Sequence, residues 1–146
     1  MKITSPAFEH NQKIPAKYSC DSQGVNPLLN FSDIPSNVKS LVLIVDDPDA
    51  PIGTFIHWVV FNIDPQVLEV QENSVPRGGI EGNSSLGKPG WVAPCPPTGT
   101  HRYFFKLYAL DKMLNLDPGI DFETLQNAMS GHILDTAEVI GLYKRG

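Results

Sequence analysis

The sequence predicts an α+β fold in which β-strands dominate. Three apolar segments, residues 41–45, 56–63 and 102–110, are rich in β-branched and aromatic residues and lie between turn-forming stretches. The 13 prolines and 12 glycines among 146 residues imply frequent turns. Helical spacing of apolar residues appears near the C-terminal end. Strands therefore precede helices along the chain, which is typical of α+β proteins.

The first forty residues predict short extended pieces separated by turns. Four X-Pro pairs in this region keep the residue before each proline out of helical conformation. Residues 41–45 are apolar at every position, which predicts a central strand buried on both faces. Residues 56–63 predict a second strand, in which two-residue periodicity places His57 on the same face as Val59, Phe61 and Ile63.

The second half predicts a long loop, a strand and two short helices. Residues 64–100 contain many prolines and glycines, and a loop of this length is usually functional. Residues 102–110 predict a third strand with Tyr103, Phe105, Leu107 and Ala109 on one side. Asp121 can cap a helix over residues 122–130. Apolar residues at helical spacing predict a second helix over residues 132–144.

Size and charge restrict the class of protein. The length fits one domain spanning residues 1–146, without repeats or a linker. A formal charge of -5 with scattered basic residues argues against nucleic acid as a partner. No signal-like apolar stretch begins the sequence, and the longest apolar run cannot span a bilayer. We expect a cytoplasmic protein without stable membrane insertion, with Cys20 and Cys95 as free thiols; a disulfide between them is the alternative.

Several enzyme and metal motifs are absent or incomplete. Residues 82–88 have the spacing of a phosphate-binding P-loop, but Pro89 stands where Ser or Thr should ligate magnesium. There is no GxSxG segment of the serine-hydrolase type. Asp47, Asp49, His57 and His101 are metal-ligand types, but they lack the close ligand pairs common at zinc sites. We therefore expect no metal and no cofactor.

Cys95 supports two hypotheses. It lies six positions before His101, so it can be a thiol nucleophile paired with an imidazole base. It also lies between Pro94 and Pro96, where the Cys95 amide is one of few backbone donors. Both hypotheses stay open at the level of sequence.

Three acids and a histidine suggest an anion pocket. Asp46, Asp47 and Asp49 cannot all be desolvated anions without strong repulsion, so at least one needs a partner or water. Prolines shape the turn after the first strand, and His57 begins the next strand, so the two ends can meet. An aspartate beside a histidine keeps the ring charged or sets its tautomer, which makes an N–H available to an anion. The alternative is a solvated strand end and a core histidine at position 57.

Two separated motifs identify a resemblance to a known family. Residues 47–51 with His57-Trp58, and residues 96–103, closely resemble the signature segments of the phosphatidylethanolamine-binding protein family, which includes the Raf kinase inhibitor proteins. Residues 3–8 and 26–31 are similar to the family's opening segments. Residues 104–111 are similar to its bacterial and archaeal branch.

The resemblance implies a fold and a set of pocket residues. It implies a β-sandwich core with short peripheral and C-terminal helices and an anion pocket at one end. It also implies a cis peptide bond at Ala50–Pro51, for which the intrinsic penalty is only ~0.5–1 kcal/mol, and it allows a homodimer. The implied ligand-binding residues are Asp47, Asp49, Phe55, His57, Cys95 (through its amide), Pro96, His101 and Tyr103.

These expectations combine into a non-enzymatic binding protein of the Raf-kinase-inhibitor-like type. It would recognise a phosphoryl or carboxylate group, for example on a phosphorylated protein, with a kinase or protease as partner. His57, His101, the Tyr103 hydroxyl and the Cys95 amide would donate hydrogen bonds. Asp47 would orient His57 or donate as a neutral acid. The rival hypotheses are a hydrolase that uses Asp47, His57, Cys95 and His101, and a scaffold with a vestigial pocket.

Overall fold

Two β-sheets and one helix form three layers in the computed structural model, which describes residues 1–146. The larger sheet has the strand order β2 (Gln12–Lys13), β9 (Ile133–Tyr143), β8 (His101–Leu110), β4 (Ser40–Asp47), β5 (Phe55–Ile63), β7 (Ile80–Glu81). The smaller sheet has the order β1 (Lys2–Thr4), β3 (Leu29–Ser32), β6 (Glu69–Val70). A 3-10 turn at Ala16–Tyr18 and helix α1 at Phe122–Met129 complete the elements. The predicted mostly-β sandwich is confirmed.

Strand β4 lies at the centre of the molecule, as predicted. Leu43 and Val45 pack in the cluster between the two sheets, while Val42 and Ile44 pack on the opposite face with residues of α1. All eight residues of β4 are buried. A strand covered on both faces can be apolar at every position, which explains the uninterrupted run in the sequence.

Strand β8 and helix α1 also follow the predictions. Tyr103, Phe105, Leu107 and Ala109 all lie in the cluster between the sheets. Helix α1 begins after Asp121, whose carboxylate accepts the Thr124 amide N–H at 2.8 Å. This hydrogen bond satisfies one of the free N–H groups of the first turn.

The predicted second C-terminal helix is wrong. Residues 133–143 form strand β9, which pairs with β8 in antiparallel register from His101↔Tyr143 to Leu110↔Ile133. The apolar residues at helical spacing compete with a two-residue alternation that buries Val139, Gly141 and Tyr143. Pairing along the whole of β8 satisfies the backbone and covers the core, so tertiary packing overrides the local pattern.

A β-bulge changes the direction of His57. Val45 pairs with Trp58 and Asp46 pairs with Ile56, so His57 is an extra residue without a partner on β4. The prediction that His57 shares a face with Val59 and Phe61 is therefore wrong. Those two residues pack on the side of α1, whereas the His57 ring lies 5.2 Å from the ring of Tyr103 on the sandwich side.

The turn after β4 contains no cis peptide bond. The expected cis bond at Ala50–Pro51 is wrong, because every peptide bond is trans. The turn after β4 closes instead with the Gly53 N–H donating to the Ala50 carbonyl at 3.2 Å.

Residues 64–100 are irregular apart from the short strands β6 and β7. No helix combines the length and apolarity needed to cross a membrane.

Candidate functional site

A cavity of about 180 Å³ lies at one end of the sandwich. β4 contributes Asp47, β5 and β8 each contribute two residues, and the turn after β4 and the segment 92–97 form the remaining wall. Every predicted pocket residue except Asp49 lines this cavity. The lining residues are Asp47, Ala50, Pro51, Phe55, His57, Val92, Ala93, Cys95, Pro96, Pro97, His101 and Tyr103.

Three polar atoms of the cavity lining have no partner in the protein. His57, His101 and Tyr103 are only 5%, 7% and 1% exposed. Nevertheless, Nε2 of His57, Nε2 of His101 and the hydroxyl oxygen of Tyr103 form no hydrogen bond with the protein. Trp91 Nε1 is the only fully buried side-chain nitrogen or oxygen without a partner, so these three atoms must reach open space. Atoms that reach open space without a partner in the protein can hydrogen-bond to water or to a polar ligand in the cavity.

Asp47 orients His101 rather than His57. Its Oδ2 lies 2.7 Å from Nδ1 of His101, and its Oδ1 accepts the Asp49 amide N–H at 2.8 Å. The predicted role of Asp47 toward His57 is therefore wrong. The fold brings the start of β8 beside the end of β4, and the sequence alone does not reveal this pairing. The Nε2 atom of His101 is left for the cavity.

A backbone carbonyl sets the tautomer of His57. Nδ1 lies 2.7 Å from the carbonyl oxygen of Val92, which can only accept, so Nδ1 carries the hydrogen. Burial lowers the pKa of His57, which favours the neutral ring. Neutral His57 thus presents Nε2 to the cavity as an acceptor, and it donates there only when protonated. Sequence reasoning missed Val92 because this residue acts through its backbone.

Tyr103 is a hydrogen-bond donor across the usable pH range. Burial, together with the negative charges of Asp47 and Asp49, raises the pKa of the Tyr103 phenol. The hydroxyl therefore stays protonated. Because it has no acceptor in the protein, its hydrogen is available to a molecule in the cavity.

The three crowded acids have three separate environments. Asp46 projects from the opposite face of β4, where its Oδ2 accepts from Lys106 Nζ at 2.8 Å. Asp49 accepts two hydrogen bonds from the Arg102 guanidinium at 2.9 and 2.8 Å, and these bonds lower the pKa of Asp49 to about 2. Only Asp47 lies in the cavity wall. Repulsion among the carboxylates is avoided because each has its own partner.

The expected free thiols are wrong, because Cys20 and Cys95 form a disulfide. The residues are 75 positions apart in sequence, but their Cα atoms are 5.4 Å apart. That proximity is a property of the fold and cannot be read from the spacing. The thiol-nucleophile hypothesis would require a free Cys95. The Cys95 amide N–H donates to no other group of the chain, so it is free to bind a ligand.

The cavity has few metal ligands. Nowhere in the chain do three His, Cys, Asp or Glu side chains gather closely enough to hold a metal ion. The polar groups that do meet at the cavity are two imidazoles, a phenol, one carboxylate and a free amide. This set of groups suits recognition of a small anion that also carries a proton.

Comparisons with known proteins agree with the resemblance in sequence. The family model of the phosphatidylethanolamine-binding protein matches residues 4–144. A UPF0098 protein from Methanothermobacter thermautotrophicus is 45% identical over 151 aligned positions, which cover 100% of both chains. A UPF0098 protein from Chlamydia muridarum is 46% identical, with 99% of both chains covered.

Two solved structures have the same fold. A phosphatidylethanolamine-binding protein homologue from Chlamydia trachomatis superposes with a TM-score of 0.96 at 44% identity, covering 99% of this chain and 97% of that one. YbcL of Escherichia coli, described as a member of the mammalian family, superposes with a TM-score of 0.91 at 25% identity, covering 99% and 98%.

Proposed function

Since this chain belongs to the phosphatidylethanolamine-binding protein family, we propose that it is a non-enzymatic binding protein for small phosphoryl or carboxylate groups. The observation that carries the proposal is the set of three unpartnered polar atoms, His57 Nε2, His101 Nε2 and the Tyr103 hydroxyl, around one cavity.

The size and polarity of the cavity support an ionic group rather than a whole small molecule. A volume of about 180 Å³ is below the range of roughly 300–1,000 Å³ for sites that enclose drug-sized ligands. Apolar and aromatic walls exclude water, which strengthens each hydrogen bond made inside. A larger ligand would therefore place only its anionic end in the cavity.

Each polar group has a distinct role in this proposal. The Tyr103 hydroxyl and the Cys95 amide donate to the anion. His101 donates from Nε2 when its ring is protonated, with Asp47 compensating the charge. Neutral His57 instead accepts a hydrogen that the ligand brings. A phosphoryl group that retains one proton satisfies both kinds of site, and so does a carboxylate once His57 is protonated.

The first test is phosphate binding by a His101→Ala variant. Loss of the imidazole should weaken binding by roughly 1–3 kcal/mol, the cost of losing a hydrogen bond to a charged group. Isothermal titration calorimetry with inorganic phosphate would therefore record a dissociation constant raised roughly 5- to 150-fold. Circular dichroism would establish that the variant is folded.

A matched control for this variant is His132→Ala. His132 also pairs with an aspartate, at 2.8 Å from Asp111, but that pair is exposed at the start of β9. It lies at the opposite end of β8 from His101, roughly 30 Å away at ~3.3 Å per residue. Phosphate affinity should be unchanged in the control. An unchanged affinity in His101→Ala would remove the pocket assignment.

We place the protein among regulators of the Raf-kinase-inhibitor-like type, with a phosphorylated protein, kinase or protease as partner. In that case free phosphate should compete with the partner. Pull-down experiments with and without added phosphate separate this case from a scaffold with a vestigial pocket, which would show no competition. A cytoplasmic location stays a prediction.

A hydrolase is the second candidate, supported by the short contact between Asp47 and His101. A carboxylate that orients an imidazole is the arrangement of a general base. Turnover of a model ester or phosphate that disappears in His101→Ala would favour this reading. Binding of phosphate without turnover favours the binding protein.

A further inference from the structure

We infer that the Cys20–Cys95 disulfide is a redox-modification site, and that its reduction by a dithiol weakens anion binding in the cavity. The inference rests on the proposed function, since it concerns the affinity of the same cavity.

The disulfide is accessible to reagents in solution. Both half-cystine residues are exposed, and Cys95 is itself part of the cavity lining. Buried structural disulfides resist reduction, whereas exposed ones tend to be labile or regulatory. A thiolate can therefore approach this bond from solvent without unfolding the chain.

Between Pro94 and His101, the disulfide is the only bond that ties the cavity-wall loop to the rest of the chain. Upstream, Val92 exchanges hydrogen bonds with His57, at 2.9 Å through its amide and 2.7 Å through its carbonyl. The Pro94 carbonyl accepts from the Cys20 amide at 3.0 Å. From Cys95 to Thr100, no backbone or side-chain group forms a hydrogen bond with the rest of the chain. Strand β8 then begins at His101.

Loss of this cross-link affects the groups proposed to bind the anion. Cys95, Pro96 and Pro97 would be held between Pro94 and His101 by packing alone. The Cys95 amide would then have to be ordered again each time a ligand binds. A site that must be ordered on binding has lower affinity than one that is preorganised. Reduction should therefore weaken binding without removing His57, His101 or Tyr103 from the cavity.

The reaction balances with a dithiol as reductant. One thiolate of the dithiol attacks an exposed sulfur, breaks the Cys20–Cys95 bond and forms a mixed disulfide. The second thiol of the reagent then attacks the reagent's own sulfur in the mixed disulfide. This attack releases the protein cysteine as a thiolate, and the reagent leaves as a cyclic disulfide. The protein gains two electrons and two protons as the Cys20 and Cys95 thiols.

The experiment compares phosphate affinity in the oxidised and reduced protein. Calorimetric titration with inorganic phosphate is run on the oxidised wild type and on protein reduced with dithiothreitol, in which thiol titration verifies two free thiols per chain. The dissociation constant should rise at least about tenfold on reduction, comparable to the loss of one hydrogen bond to a charged group. Hydrogen exchange of the Cys20 amide, which donates to the Pro94 carbonyl at 3.0 Å, should accelerate, while that of β4 and β8 stays slow.

The matched control is the double variant Cys20→Ser, Cys95→Ser, which retains the amide at position 95. It should bind phosphate as weakly as the reduced wild type and should not respond to dithiothreitol. Equal phosphate affinity in oxidised and reduced wild type would overturn the inference. Global loss of strand structure on reduction would also overturn it, because the disulfide would then be a general brace. Absence of phosphate binding in the oxidised protein would instead refute the proposed function.

Discussion

His57 and His101 have the same side chain but different partners at Nδ1. The Asp47 carboxylate accepts from Nδ1 of His101, and the Val92 carbonyl accepts from Nδ1 of His57. A carboxylate compensates an imidazolium charge, whereas a neutral carbonyl does so only weakly. Because both partners accept from Nδ1, the neutral form of either ring presents Nε2 as an acceptor, and only a protonated ring donates from Nε2. In the proposed function, the two rings together bind an anion and its proton.

Anion affinity should increase as the pH falls. Burial lowers the pKa of His57, so the empty pocket holds this ring neutral near pH 7. A bound anion favours the protonated ring, and proton uptake then accompanies binding. Sulfate is a suitable probe because it does not titrate between about pH 7.5 and about pH 5.5, the range in which histidines change charge. Its affinity, measured by calorimetry, should rise through that range.

The variant His57→Gln isolates this effect. It retains a polar side chain but cannot be protonated, so the rise in sulfate affinity should become smaller. Identical pH profiles in wild type and variant would contradict the role assigned to His57. Because the folded pKa is lower than the unfolded one, protonation of His57 also destabilises the fold. Circular dichroism should therefore accompany the titration at the acid end.

At the scale of elements, three strand ends place the polar groups. β4 delivers Asp47 as its last residue, β8 delivers His101 as its first, and the bulge in β5 turns His57 toward them. A regular strand would have pointed His57 at the opposite layer. The bulge therefore determines which side of the sheet carries the second imidazole.

Strand β9 depends on a glycine where it passes the N-terminal segment. A Cβ at Gly141 would lie 2.6 Å from Ile14 Cδ1 and 2.8 Å from Phe8 Cε2, closer than carbon atoms can approach. Gly141→Ala should therefore destabilise the fold by about 1–3 kcal/mol through overpacking. Chemical denaturation would measure this loss. Thr136→Ala, at an exposed position in the same strand, should change stability far less.

At the scale of the molecule, the disulfide connects parts of the chain that are distant in sequence. Cys20 follows the 3-10 turn of the N-terminal region, and Cys95 lies on the loop before β8. The closed loop spans 75 positions and includes β3 to β7. A cross-link over a loop of this length mainly restricts the unfolded chain.

Removing the disulfide should lower the free energy of unfolding by about 4.5 kcal/mol, the chain-entropy value for a loop of this length. Urea denaturation of wild type and of Cys20→Ser, Cys95→Ser would measure the change. A loss close to zero would mean that the unfolded chain is already restricted. This global effect is distinct from the local loss of anion affinity, which is measured under conditions where both proteins are folded.

Local patterns were sufficient for much of the fold. The apolar run of β4, the alternation in β8 and the Asp121 cap of α1 each predict their element, because the physical cause lies within a few neighbouring residues. The local pattern of β9 wrongly predicts a helix, because its pairing with β8 depends on residues about thirty positions earlier in the chain. The bulge in β5 likewise results from the register with β4, which no single strand specifies.

For the candidate site as well, the sequence indicates the residues, whereas the tertiary structure determines how they pair. The pocket residues from Asp47 to Tyr103 can be recognised in the sequence because they lie within or beside two segments that resemble the family's signature motifs. Only the tertiary structure decided the pairing of Asp47 with His101, the carbonyl that sets the tautomer of His57, and the joining of Cys20 to Cys95. These are distances between segments far apart in the chain, and folding determines them through the packing of the whole core.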